Sequence, residues 1–150
     1  MAISFLPKEG AYTKALQRQA YYNGGGRVIL ACLYKQSFRP SPANVMADYI
    51  ANECTFDGYA RHTIPSMDAI ALLGTTAWLL FASELALFIY GPATVPPVTD
   101  TAGGVFILVQ TAAGPPAVYD MGPVFPFDAP VSFSQVGDTA TQLVSEPETN

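Results

Sequence analysis

Residues 69–90 read AIALLGTTAWLLFASELALFIY and form the most apolar run of the chain. Two architectures compete for this run. A helix of about 20 apolar residues spans a bilayer core, and the run is long enough for one. Gly74, Thr75, Thr76, Ser83 and Glu84 interrupt it, and a carboxylate at the centre of a span costs about 2.5–3.5 kcal/mol. No Lys or Arg follows Arg61, so the flanks lack the basic residues that orient a span. The other architecture is a pair of buried strands, 77–81 and 85–90, joined by a tight polar turn at Ala82-Ser83-Glu84. Aromatic residues favour strands, and unbroken apolar runs suit strands covered on both faces. The strand reading is the expectation, and the alternative is a single-span membrane protein through 69–90.

Downstream, the style of this run returns in shorter pieces: VFILVQ at 105–110, AVYDMGPVF at 117–125 and PVSFSQV at 130–136. Turn formers separate them, and residues 94–104 are expected to be an exposed loop, since Pro96-Pro97 is incompatible with a central strand. Gly122-Pro123 implies a bulge or a sheet edge within 118–127. Gly137-Asp138, between 131–136 and 139–144, matches a two-residue hairpin signal. Upstream, RVILACLYK at 27–35 is a strand candidate, as is 59–64. Residues 45–51 read as a helical turn that Ser41 or Asn44 would cap. Residues 11–20 read as a short helix of good formers, with Ala11, Ala15, Leu16 and Gln19 on one thin face. Gly24-Gly25-Gly26 then acts as a flexible joint. Glycines before Arg27 raise the thought of a phosphate loop, but the GK[ST] ending is absent.

These elements predict an all-β chain, an antiparallel β-sandwich or barrel-like body with a short N-terminal helical or extended arm. The expected organisation is an arm and hinge over 1–26, a body over 27–145 and an acidic tail over 146–150. A thin apolar face adds little to a core, so residues 1–22 are expected to be removable. Their use would be contact with a neighbour, through Lys8, Lys14, Leu16 and Arg18, and through Arg27 beyond the joint.

Composition narrows the function. At 150 residues the chain is one domain able to bury a core without staples. Charged residues are 13% and apolar residues 50%, where a quarter charged is usual. Such a surface calls for cover, so a closed homo-oligomer or a larger assembly is expected. A net charge of −5 argues against a nucleic-acid footprint. MAISFLPKEG has no basic stretch followed by an apolar core, so synthesis inside the cell is expected. Cys32 and Cys54 fit no metal spacing, and free buried thiols are expected.

Catalytic patterns are weak. His62 is the single histidine, beside Arg61 in a strand-like stretch, where packing is its commoner use. No GxSxG elbow is present. Asp48, Glu53 and Asp57 lack the dense alternation of a calcium loop. Asp120, Asp128 and Asp138 stand at strand ends and turns, where Asp serves the backbone. Trp78, Phe81, Phe88 and Tyr90 read as core rather than as a sugar-binding face. No enzyme activity and no cofactor or metal are expected.

One ordered set of short motifs does point somewhere. Leu33-Tyr34-Lys35 is followed by a proline loop, Val45-Met46-Ala47-Asp48-Tyr49 and Thr55-Phe56-Asp57-Gly58-Tyr59-Ala60-Arg61. Then come Trp78 to Phe81, Tyr90-Gly91, Phe125-Pro126, Pro130-Val131 and Gly137-Asp138-Thr139-Ala140-Thr141. This order resembles small structural virion proteins of tailed bacteriophages over most of residues 28–144. The departures are the helix-like N-terminus, Asp57 where proline is usual, and the long 92–101 loop. The resemblance implies a capsid decoration (cement) protein in the virion, partnered by the major capsid protein or other virion subunits. A trimer on a lattice three-fold axis is the first expectation from it. A tail, neck or fibre-associated subunit is the alternative. It implies no catalytic residues, and no nucleic-acid or membrane partner is expected.

Overall fold

The computed structural model describes residues 8–65, 68–73 and 76–149, with only the backbone described at 8–15, 68–73, 76–87 and 142–149. Among the described residues nine elements follow in order. They are α1 (Lys8–Asn23), β1 (Val28–Lys35), α2 (Met46–Ala51), β2 (His62–Ile64) and β3 (Asp68–Leu73). β4 (Thr76–Ile89), β5 (Asp100–Ala112), β6 (Val118–Phe133) and β7 (Thr139–Thr149) complete the chain. Strand is the dominant regular structure, and every strand pair is antiparallel. One sheet has four strands in the order β2-β1-β5-β6, and a second has three in the order β3-β4-β7.

The stretch that decides the fold is strand, not helix. Its described residues through Ile89 lie in β3 and β4, so the helix of the single-span alternative through 69–90 is not formed there, and among the described residues no helix is long and apolar enough to cross a membrane. Two strands were expected within 77–90, but β4 runs unbroken from Thr76 to Ile89. Its pairing with β7 shifts register between Leu80 and Leu85, so Ala82-Ser83-Glu84 lies in an irregularity of one strand. A polar triplet inside a long strand can be absorbed by a bulge. The hairpin partner is instead β3, paired Asp68↔Leu80 through Leu73↔Thr76. Gly74 and Thr75, read above as evidence against a span, lie outside the described residues, as do Met1 to Pro7.

β1 and β5 explain why two runs in the sequence are apolar without alternation. Ile29, Ala31 and Leu33 of β1 join Val105, Ile107 and Val109 of β5 in one buried cluster. That cluster also takes Phe88 of β4 and Ala140 of β7, so it draws on both sheets. On the other face, Cys32 and Tyr34 join Phe106 and Leu108 in a second cluster, packed by Met46 and Ile50 of α2 and by Phe38. Both faces of these central strands are therefore buried, and a Leu or Phe there contributes about 1.5–3 kcal/mol.

The outer side of β1 is completed in two stages. β2 pairs with it only from Ile29↔Ile64 to Ala31↔His62. Residues 59–61, expected as strand, are not part of β2. The segment 52–54 takes over: Cys54 donates its N–H to Leu33 O at 2.9 Å, and Lys35 donates to Asn52 O at 2.8 Å. The Leu33 N–H finds the Tyr59 hydroxyl at 3.1 Å. Every unpaired buried backbone group costs about as much as a lost hydrogen bond, and this side chain closes the gap left where β2 ends.

Two turn signals have different outcomes. β6 carries the expected irregularity, since Phe106↔Val124 is followed by Leu108↔Met121, with one extra residue at Gly122-Pro123. It is also an edge strand. Gly137-Asp138, expected to close a hairpin, does not: β6 pairs with β5 and β7 with β4. The turn hands the chain from one sheet to the other. Gly137 has φ 99°, and the Asp138 carboxylate accepts the N–H groups of Ser134 and Gln135, each at 2.9 Å. Residues 146–149, expected as a loose tail, continue β7 and pair with 76–79 of β4. Near α2, Ser41 and Asn44 bond one another. The helix start is held by the Asp48 carboxylate, which accepts the Val45 N–H at 2.9 Å.

α1 is longer than the expected 11–20 and lies against β3, β4 and β7. Gly25 and Gly26 end it with φ 63° and 69°. Tyr22, expected to belong to a removable arm, is 2% exposed and part of the first core cluster. A side chain so placed ties the end of the helix to the body.

Candidate assembly surface

Of the five expected contact residues, four stand on α1 and Arg27 follows the glycine joint. Lys8 and Lys14 stand on α1 where only the backbone is described. Leu16 is exposed on the same helix. Arg18 donates to the Tyr22 hydroxyl at 3.0 Å. Arg27 donates to the carbonyls of Tyr21, at 2.9 Å, and Gly24, at 3.2 Å. Its guanidinium sits 4.4 Å from the Tyr21 ring centre. Tyr21 in turn hydrogen-bonds the Asp120 carboxylate of β6, which raises its own pKa. Arg18 and Arg27 thus clasp the helix end and the glycine joint.

Two other features are more open. The first is the loop 92–98, PATVPPV, in which every residue is exposed and Val95 is 100% exposed. It is nevertheless held firmly at its base. The Asp57 carboxylate accepts the N–H groups of Ala93, at 2.9 Å, and Thr94, at 3.0 Å, and the Thr94 hydroxyl at 2.9 Å. The Asp57 N–H donates to Val98 O, and Gly91 N–H to Asp57 O. These backbone donors hold the Asp57 carboxyl well below its usual range, at about 2. Gly58 follows with φ 84°, and a Cβ there would meet Gly91 N at 2.6 Å, so only glycine lets the two loops approach. Val136, 80% exposed, stands in the turn whose Asp138 O accepts the Tyr90 N–H. The apolar tips of two loops therefore lie near the ends of β4 and β7.

The second feature is an open groove of about 620 Å³. It is lined by the loop 36–40, with Phe38 and Arg39, and by Pro126 and Pro130 of β6. Tyr34 and Gly103 line it as well, and Tyr34 is buried beneath it. The pairing explains the place of Gly103: Tyr34↔Gly104 is followed by Lys35↔Ala102, so Gly103 is an extra residue in β5. A Cβ on Gly104 would lie 2.4 Å from the Tyr34 hydroxyl, so the ring lies flat only over glycine. Residues 127–130 form a further irregularity, since Gly104↔Pro126 is followed by Ala102↔Val131.

A further set of ionisable groups serves the interior. The Glu53 carboxylate accepts Arg61 Nε at 2.9 Å, Arg61 Nη2 at 2.8 Å and the Tyr59 hydroxyl at 2.5 Å. Arg61 also lies over the Tyr119 ring, at 5.4 Å. Burial pushes the Tyr59 hydroxyl and the Cys32 thiol up, and Cys54 up to about 12. Thiols in that state are protonated and poor nucleophiles. Among the described residues no group of three or more His, Cys, Asp or Glu is placed to hold a metal ion. The sequence reading missed both the groove and the anchored loop. Adjacent glycines at 103–104 and paired prolines were their visible signals. Comparison of the chain with known protein families, with curated proteins and with solved structures gives no match.

Proposed function

We propose that this chain is a structural virion subunit of a tailed bacteriophage, a capsid decoration protein that attaches to and stabilises the capsid lattice. The observation that carries this reading is where the motif residues stand. Leu33 and Tyr34 lie in the last three residues of β1, and Tyr49 of α2 packs on Tyr34, with ring centres 6.4 Å apart. Phe56 stacks on Phe133 at 4.1 Å, and Tyr59 on Phe88 at 6.2 Å. Several of the residues that carry the resemblance thus join loops to sheets, as a structural scaffold requires. Two of the departures from the pattern, Asp57 and the 92–101 loop, are a single feature, because the carboxylate anchors the loop. A sparsely charged chain with anchored apolar loop tips works by burial against a neighbour. The two sheets form the layers of an antiparallel sandwich in this proposal, supported by the cluster they share.

The test is to add purified chain to capsids and to tails of the phage that encodes it, sediment both, and image the bound label. Capsids that retain the chain in a lattice-wide pattern, and that resist heat better with it, are expected. Retention on tails or necks alone would replace the decoration role by the tail-associated one. Retention on neither would remove the virion reading.

A further inference from the structure

We propose that the 92–98 loop of one copy of this chain docks in the 36–40/126–130 groove of another, so that loop and groove form the repeating joint of a closed homo-oligomer. This rests on the reading of the chain as a self-associating subunit and assigns the surface that reading lacks. The two features complement each other chemically. Pro92, Pro96 and Pro97 have no N–H, and the N–H groups of Ala93 and Thr94 are already taken by Asp57. The Pro96 and Val98 carbonyls are occupied by the Thr94 hydroxyl and the Asp57 N–H, so the loop presents its remaining carbonyl acceptors and apolar rings with few donors. The groove presents the opposite: the Arg39 guanidinium has five N–H donors and no acceptor, beside the Gln36 amide and the Ser37 hydroxyl. The partial negative charge of the loop carbonyls meets the positive charge of Arg39. Phe38, Pro126 and Pro130 supply the aromatic and ring faces against which proline-rich segments pack.

Size and stiffness agree with this pairing. A volume of about 620 Å³ is within the range of pockets that hold a compact ligand, enough for a Val-Pro-Pro tip. The loop is anchored at Asp57 before it meets anything, so little freedom remains to be lost on docking. It does not fill its own groove, since Val95 is 100% exposed and no residue of 92–98 lines the cavity. Both lie near the start of β5, where Gln36 N–H donates to Thr101 O at 2.9 Å. A loop on one copy that meets a groove on another closes either as a reciprocal two-fold pair or, where the rotation closes, as a head-to-tail ring.

Sedimentation velocity on the full chain decides it, using wild type, Val95→Asp, Arg39→Glu and an equimolar mixture of the two variants. Both positions are exposed, so unchanged thermal midpoints are expected. Wild type is expected to form a closed oligomer. Each variant alone should fall to the 16.0 kDa single chain. The mixture should recover a two-chain species, because one intact loop meets one intact groove and the other two ends are dead. Variants that still assemble like wild type would overturn the loop-in-groove joint and leave self-association standing. Monomeric variants whose mixture stays monomeric would overturn the pairing of loop with groove. A wild-type monomer at every concentration would overturn the joint and the self-association reading together, without bearing on attachment to capsids.

Discussion

Asp57 shows how ionisable side chains in this protein serve the backbone. Its local role as a turn residue was legible from Asp57-Gly58. Its target was not, because Ala93 is 36 positions away and nothing in either segment names the other. The bond has a consequence for pH. The folded-state carboxyl titrates near 2, below the ordinary 3.8, because the N–H groups of Ala93 and Thr94 favour the charged form. A depressed folded-state value means that its stabilisation is complete above about pH 3.8 and is lost as pH falls through about 2. Asp138 is shifted the same way by Ser134 and Gln135. We expect the thermal midpoint to fall across that window, with proteolytic nicking in 92–98 rising in step. In Asp57→Asn the midpoint should be lower at neutral pH and the acid fall shallower. An acid profile identical to wild type would mean that Asp57 does not hold the loop. Tyr59 makes the same point for a neutral group: a hydroxyl that accepts from Leu33 N–H and donates to Glu53 was readable only as a strand aromatic.

The elements were legible where composition and length agreed, and illegible where a local signal fitted two outcomes. β1 and the core of β5 were readable because burial on both faces demands unbroken apolar runs. β4 was misread as two strands, since Ala82-Ser83-Glu84 serves equally as a turn or as a bulge. For α1, the glycine joint was visible but the fate of the helix end was not. Tyr21 and Tyr22 decide it, one bonded to Asp120 and the other buried in the core. Two truncations separate the roles. Removing residues 1–20 retains both tyrosines, and removing 1–22 deletes them. Loss of a large buried aromatic costs about 3–5 kcal/mol, so the shorter chain should be less stable by about that much in denaturant unfolding. Equal midpoints for the two truncations would show that Tyr22 contributes nothing to the core.

At the scale of the whole molecule the question is what covers its edges. β6 is an outer strand of the four-stranded sheet and carries Pro123, Pro126 and Pro130. A proline offers no N–H to an incoming strand, and edge prolines are a recognised guard against sheet-to-sheet growth. The proposed assembly then uses a side-chain surface, the groove, two of whose lining residues are these same prolines. Replacing Pro123, Pro126 and Pro130 together by Thr should leave a folded chain that aggregates with concentration, followed by light scattering on heating and by thioflavin fluorescence. Scattering no greater than wild type would mean that the edge is guarded by something else.

Val28 to Lys35 and Val105 to Gln110 had to be covered on two faces, and the prolines had to lie in loops or at edges. Those constraints act on a residue and its immediate neighbours, so the sequence alone determined a β-rich antiparallel chain with two buried thiols. Partner choice acts over the whole chain. A strand's apolar pattern states that it is buried but not beside which strand, so only the tertiary structure decided that β7 pairs with β4 rather than with β6. The same holds for the surface. Tyr34, Gly103 and Pro126 are far apart in sequence, and the groove they line exists only because an extra residue in β5 and an irregularity in β6 fall side by side.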